Sequence, residues 1–295
     1  MFSRSLGGLG LAAVAAVSWG TIGLAQSYAQ PTIDASWVVV FRLLFASLFF
    51  IGCFIARKEY RGLTQSTLKQ LLPWIVLAAA CISINNICFI YGVRATGIAM
   101  GSAATIGSAP IWAGILTQCF LRKSLNRQWW LGAILAAAGV TGMMVSQAGS
   151  WHIDLVGILV CLLAGLCYSG FTLSSGHLVK DLLPLASTTF IFSLAFVFSL
   201  FAAFALSDFP RGFMGSDWVV FIYLGIVPTG LAFMLYTTAL RFIAAGTAVA
   251  MTLLDPVTSF CLAITVAKEP LEFGALIGLI LILCGLRLIA KNDKS

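Results

Sequence analysis

The chain has 295 residues, 60% of them hydrophobic and only 9% charged, with a mean hydropathy of +1.03. A soluble domain carries about 25% charged and about 45–50% apolar residues, so this composition excludes a soluble globule, which could not cover its surface with polar groups. The net charge of +7 arises from 17 Lys and Arg scattered over short segments between apolar blocks, a pattern that sets membrane topology and argues against nucleic-acid binding.

Ten apolar stretches follow one another, at about 8–29, 36–56, 69–92, 97–121, 128–147, 154–176, 185–206, 216–239, 244–267 and 272–290. Each is close to the roughly 20 residues that cross a hydrocarbon layer of about 30 Å. The expected fold is therefore an all-α polytopic membrane protein with ten transmembrane helices. The first stretch imitates a signal peptide: Arg4 precedes the apolar run Leu6 to Ala25, and Ser27-Tyr28-Ala29 resembles a cleavage site. That run exceeds an h-region of about 7–15 residues and reads as a retained helix. The connections are short and hold most of the charges and turn residues, as at Arg57–Lys69, Arg122–Arg127 and Ser207–Asp217.

With ten spans, thirteen of the 17 Lys and Arg fall on the side of the two termini. Arg94, Arg211 and Lys268 fall on the other side, and Arg42 lies within a span. The excess of Lys and Arg places both termini in the cytoplasm. The eight cysteines all sit in apolar stretches, without a CxxC pair or zinc-like spacing, and His152 and His177 lie at span ends on opposite sides. Neither a metal site nor a cofactor is expected from such a distribution.

The chain repeats itself. A shift of 146 residues carries Pro110, Leu116, Leu125, Gly132, Ile134, Leu135 and Gly139 onto Pro256, Leu262, Leu271, Gly278, Ile280, Leu281 and Gly285. A shift of 149 carries Gly8 onto Gly157 and Trp19 onto Tyr168. Residues 1–148 and 149–295 thus read as two five-helix copies forming one integrated membrane domain. Five is odd, so the second copy enters from the opposite side, giving two inverted repeats. Many secondary transporters are built this way, with the substrate site near the midplane between the halves.

The motifs resemble those of the drug/metabolite transporter superfamily, in particular its EamA-type members. They are Ser18-Trp19-Gly20-Thr21 in the first span and Phe41-Arg42-Leu43 in the second. Leu254-Asp255-Pro256-Val257, Lys268-Glu269-Pro270-Leu271 and then Gly274, Gly278 and Gly285 follow in the ninth and tenth. The first copy echoes them with Ala109-Pro110-Ile111, Leu125, Gly132 and Gly139. One departure is Arg122-Lys123-Ser124, where members often end the fourth span with an acidic residue. The resemblance implies a ten-helix fold with a central cavity open to one side at a time. It also implies transport of amino acids, related metabolites or drugs, often outward, in a bacterial inner membrane.

Several residues are candidates for the site. Arg42 is a charge inside a span, costing about 2.5–3.5 kcal/mol on insertion scales; it suits a substrate carboxylate, or else clamps carbonyls or Asp255. Asp255 is the one acid deep in a span. It is the candidate for proton coupling or for binding an amine, the alternative being a structural Asp-Pro break or a partner for Arg42. Pro110 and Pro256 interrupt corresponding spans, and Pro228 interrupts the eighth, so these three are expected to shape or gate the path. Trp19 and Tyr168 occupy matched central positions, where they wall a cavity or simply pack; Trp112, Tyr91 and Tyr236 could add to that wall. Asn85-Asn86 need partners within the bilayer, so one lines the cavity or both join helices. Gly97-x-x-x-Gly101 and Gly274-x-x-x-Gly278 suit close helix packing, or a homodimer face.

These features favour a secondary transporter exporting an amino acid or related metabolite by alternating access. Its proposed cavity is lined by Trp19, Arg42, Asn85, Trp112, Tyr168 and Asp255, and its partners are a small-molecule substrate, the lipid bilayer and, through Asp255, protons. A facilitative carrier, or an importer of a carboxylate or amine, remains open. An enzyme would need a nucleophile or an acid–base cluster, and a scaffold would need an exposed domain; neither is visible in the sequence.

Overall fold

Apolar residues in long runs bury their backbone polar groups in hydrocarbon, and only intrasegment hydrogen bonding satisfies them there, so the runs become helices. The computed structural model describes residues 2–26, 28, 33–146, 154–210, 212–266 and 273–292. In chain order the helices are α1 (Phe2–Trp19), α2 (Ile22–Gln26), α3 (Ala35–Ala56), α4 (Gln65–Thr96), α5 (Ile98–Leu121), α6 (Arg127–Ser146) and α7 (Leu155–Leu178). Then come α8 (Pro184–Leu206), α9 (Gly215–Leu224), a π-helical segment (Gly225–Leu231), α10 (Ala232–Ala239), α11 (Ala245–Met251), α12 (Leu254–Thr265) and α13 (Phe273–Asn292). Among the described residues nine segments are long and apolar enough to cross a membrane, and Ser5–Trp19 is a shorter tenth. In that count α9 continues through the π segment into α10 as one span, and α11 with α12 makes another.

Side-chain oxygens stop the chain from fraying where spans begin. Asp34 accepts from Ser36 N at 2.9 Å, Thr64 from Thr67 N at 3.3 Å and Asp154 from Gly157 N at 2.7 Å, each satisfying an orphan donor of a first helical turn. Gly97 is the one residue between α4 and α5 and has φ +86°, a left-handed value that lets the chain reverse there without Cβ strain.

The inversion of the two copies is visible in four glycines. A Cβ on Gly132 would meet Gly285 O at 2.8 Å, and one on Gly285 would meet Gly132 O at 2.5 Å. Gly139 and Gly278 face each other in the same way, at 2.6 and 2.5 Å. As one residue number rises its partner's falls, so α6 and α13 cross antiparallel. The shift of 146 exchanges the two contacts, as a two-fold axis between inverted copies requires. The remaining packing obeys the same exchange: α3 lies on α8, α4 on α7 as α1 lies on α10, and α5 on α7 as α12 lies on α1.

Some sequence expectations change. The first span does not run unbroken to residue 29: α1 stops at Trp19 and the chain turns at Gly20-Thr21. A Cβ on Gly20 would meet Thr258 Cβ at 2.5 Å and Asp255 O at 2.8 Å, so backbone contact between the first and ninth spans occupies this point. The ninth span breaks too, between α11 and α12, whereas Pro110 sits inside the unbroken α5. Pro256 stands in the first turn of α12, where a missing N–H leaves no hydrogen bond unmade. Gly97 serves the α4–α5 turn rather than close packing, while Gly101 meets Val93 and Gly274 meets Ser146. His152, Arg211 and Lys268-Glu269-Pro270-Leu271 lie outside the described residues.

Candidate functional site

The basic face, where the loops after α3, α5, α7 and α10 gather, holds a cleft of about 600 Å³. Thr117 on α5, Lys123 and Ser124 beyond it, and Trp129 on α6 form one side. Leu173 and His177 on α7, Lys180 beyond it, and Ala245 to Thr247 on α11 form the other. The cleft therefore lies between the first copy and the second. α5 ends through a left-handed turn at Arg122 (φ 52°), whose N–H bonds Thr117 O, and this turn sets Lys123 and Ser124 at the mouth. The Trp129 indole fits against Gly114 and Gly246, which would meet it at 2.6 and 3.1 Å if they carried a Cβ.

Below the mouth the path is shut. Leu173 lines the cleft and also packs, with Tyr168, against the buried Ala109, Ala113 and Val249. Tyr168 in turn belongs to an aromatic layer. The Trp19 ring lies 6.4 Å from Tyr168 at 89°, 4.8 Å from Phe233 and 5.2 Å from Tyr236. Tyr236 is fully buried, its hydroxyl 3.1 Å from Thr172 Oγ1, while Tyr168 Oη is buried with no hydrogen-bond partner. These rings fill one another's space, so in this state they form a packed barrier.

The barrier is pinned by broken helix. Pro228 has no N–H to give Leu224 O, four residues earlier, and Thr229 Oγ1 takes that carbonyl at 2.7 Å. The surrounding π-helical turn frees Pro228 O, which accepts the Trp19 indole N–H at 2.7 Å. Insertions of π-helix recur at functional sites. Between the copies, the Ser169 hydroxyl on α7 donates to Ala109 O, next to Pro110 on α5, at 2.8 Å.

Asp255 stands at the start of α12 beside this barrier, within electrostatic reach of Tyr168. Its carboxylate accepts a long hydrogen bond of 3.4 Å from Ser259, whose hydroxyl also reaches Gly20 O at 3.0 Å. Arg42 is not its partner. The Arg42 guanidinium donates from Nη2 to Asn86 Oδ1 at 2.8 Å, and its Nε is buried without a partner. Asn86 in turn donates to Ile82 O at 2.9 Å, which orients its oxygen toward Arg42. Asn85 is turned the other way, donating to Ala164 O on α7 at 2.9 Å. Trp112 makes no ring contact with the aromatic layer, and its indole N–H is buried without a partner. The structure thus brings together Trp19, Tyr168 and Asp255, with Tyr236 and Pro228, while the side chains of Arg42 and Asn85 bond Asn86 and Ala164 instead.

On the opposite face, among the described residues, the ends of α3, α4 and α8 are tied together. Arg94 Nη2 reaches Asp34 Oδ2 at 2.6 Å, and Ser36 and Ser207 share a hydrogen bond of 2.8 Å. The crevice beside them measures about 10 Å³, room for no more than a water. Behind it Phe41 stacks on Phe221 at 5.0 Å and Trp37 meets Phe204 and Phe209 at 4.9 Å.

The cleft residues Thr117, Lys123, His177 and Lys180 escaped the sequence reading, because charges and polar groups at span ends look like ordinary interfacial residues. The one signal was Lys123 itself, in the segment that departs from the acidic ending of the fourth span. Phe233 was missed for a simpler reason: a Phe in a hydrophobic span carries no mark of its own.

Two segments of the chain, residues 6–145 and 155–291, match the family described as EamA-like transporter family. The protein named Uncharacterized transporter YwfM of Bacillus subtilis (strain 168) is 30% identical over 289 residues, covering 96% of this chain and 93% of its own. Uncharacterized transporter YetK of the same organism is 29% identical over 241 residues, covering 80% and 72%. A solved structure described as "Crystal structure of protein" superimposes with a TM-score of 0.82 at 17% identity, over 100% of this chain and 98% of that one.

Proposed function

Because the chain belongs to the EamA-like transporter family, we propose that this integral membrane transporter exports amino acids or related small metabolites by alternating access between its inverted halves. The observation that carries the reading is the asymmetry of the two faces. A cleft of about 600 Å³ separates the copies on the basic face, whereas the crevice beside Asp34 and Arg94 on the other face measures about 10 Å³ among the described residues. A solute entering from the basic face meets Leu173 and then the layer of Trp19, Tyr168, Phe233 and Tyr236. Rocking of one copy on the other would part that layer and release the Asp34–Arg94 closure. The α6–α13 glycine contact, lying on the exchange axis, is the natural fulcrum because it is unchanged when the copies swap roles.

Asp255 is the proposed coupling residue. A carboxyl that alternates between a dry aromatic layer and a wet path binds its proton with different affinity in the two states, which is what proton exchange requires. Arg42 with Asn86 is the proposed holder of a substrate carboxylate on the far side of the layer, since its guanidinium has hydrogen-bonding capacity in hand. The concentration of Lys and Arg on one face supports a bacterial inner-membrane location with cytoplasmic termini.

The test is substrate-dependent proton flux in proteoliposomes across an amino-acid panel, wild type against Asp255→Asn. Coupled flux that disappears in the variant while substrate exchange persists supports the proposal. Substrate flux without proton movement, unchanged by the substitution, makes the protein a facilitative carrier and Asp255 a structural residue. No flux for any member of the panel removes amino acids as substrates.

A further inference from the structure

The cleft on the basic face has a chemistry of its own. Its charged lining is cationic: Lys123 comes from the first copy and Lys180 from the second, and no carboxylate lines it. Among the described residues neither lysine is in an ion pair. His177 lines the cleft as well, its ring held at 4.4 Å over Trp74 in a stacked arrangement. On the wall, Thr117 Oγ1 is buried with no hydrogen-bond partner. A concave site with two cations, a ring N–H and an unused hydroxyl lacks only an acceptor-rich, negatively charged ligand. Walls of one charge sign also focus the field into the cleft and raise the local concentration of the opposite charge.

We propose that this cleft is the entry site for the transported solute and that it selects organic anions, holding a carboxylate or phosphate group between Lys123 and Lys180 with the Thr117 hydroxyl beside it. The assignment rests on the transport reading above for its role, but not for its binding chemistry. Because the two lysines belong to different copies, a bound anion bridges the halves that must move. An amine with no acidic group is repelled at the mouth, so Asp255 deeper in the path meets only solutes that have first presented an anion.

The experiment uses the full-length protein carrying Ser124→Cys in phosphatidylcholine nanodiscs. The probe is uncharged N-ethylmaleimide, with the modification read at position 124 by peptide mass spectrometry so that native cysteines do not interfere. Benzoate and succinate are compared with benzylamine and putrescine as protecting solutes. The expected result is severalfold slower labelling with the carboxylates and none with the amines, with protection lost when Lys123→Gln and Lys180→Gln are added. Protection is read in each variant as the ratio of labelling rates with and without solute, because removing the lysines also lowers the thiolate fraction at position 124 and slows the reaction itself. A thermal melt equal to that of the Ser124→Cys parent certifies that the variant keeps its fold. Equal protection by amines and carboxylates, or none by either, overturns the proposal. So does protection that appears only when phosphatidylglycerol is added to the discs, which would make the cleft a lipid-headgroup site. Protection without flux in proteoliposomes would instead remove the transport reading and leave the anion site standing.

Discussion

Arg94 Nη2 lies 2.6 Å from Asp34 Oδ2, and this contact ties the end of α4 to the start of α3 on the face opposite the cleft. On the basic face Arg241, beyond the end of α10, donates from Nη2 to Leu182 O, just before α8, at 3.1 Å. An ion pair thus joins helix ends on one face, and an arginine–carbonyl hydrogen bond joins helix ends on the other. The Arg94 and Asp34 side chains are 51% and 29% exposed, so the pair belongs to the class worth about 0–1 kcal/mol.

The pair makes stability pH-dependent with a defined sign. Burial raises the Asp34 pKa, but the Ser36 hydroxyl and amide and the Arg94 guanidinium outweigh it, leaving the carboxyl below its ordinary 3.8. A carboxyl depressed in the folded state stabilises above its unfolded pKa and loses that contribution as pH falls through the folded value. Thermal unfolding of wild type and Asp34→Asn in detergent is expected to differ by a small constant increment from neutral pH down to about pH 5. The increment should then vanish as pH drops below 3.8. A difference that grows toward acid pH would contradict this.

Trp19 should matter through its N–H as well as its ring. In Trp19→Phe the Pro228 carbonyl is buried with no donor, and an unsatisfied buried group costs about 1–3 kcal/mol. Denaturation in a mixed-micelle titration is the measurement. A loss no larger than that from a conservative ring change elsewhere in the layer, such as Phe233→Leu, would mean the π segment finds another donor.

The antiparallel glycine contact predicts a sharp positional contrast. In Gly278→Ala the new Cβ would lie 2.5 Å from Gly139 O and 2.8 Å from Met143 Cβ, so α6 and α13 must separate. Overpacking of this kind costs about 1–3 kcal/mol. Gly142→Ala, on the same helix as Gly139 but with nothing within 4 Å of the added atom, should leave stability unchanged or slightly raised. Melting temperatures of the two variants side by side decide it.

Arg42 and Asn86 should behave as a coupled pair. Asn86→Leu removes the acceptor 2.8 Å from the guanidinium, a charge-assisted bond worth about 1.5–3 kcal/mol. The double variant Arg42→Met with Asn86→Leu should recover part of that loss, since no buried charge is then left without a partner. A double-mutant cycle on unfolding free energies that comes out additive would show that Arg42 already finds another partner.

The legible part of this protein is the part set by period and composition. Helical spans follow from apolar length, the inversion from an odd number of spans per copy, and the repeat from residues such as Gly132 and Gly139 recurring as Gly278 and Gly285; that these four glycines meet across α6 and α13 is seen only in the structure. Trp19, Tyr168 and Asp255 could be named because a central aromatic or acid is unusual in a bilayer, whatever it touches. Arg42 and Asn85 were equally unusual, yet rotation about the helix axis directs one to Asn86 and the other to Ala164. A single sequence carries no signal for that rotation.

What the sequence determined by itself is that the chain crosses the membrane repeatedly in two inverted copies, because hydrophobic transfer and backbone pairing act on each segment locally. Only the tertiary structure decided where the cleft lies between the copies, which proline follows a helix break and which cations share that cleft. Those outcomes depend on contacts between residues far apart in the chain. Pro110 stays inside an intact helix with Ser169 donating to the neighbouring Ala109 carbonyl, while Pro256 follows a break pressed against Gly20, although the two residues occupy the same place in the repeat.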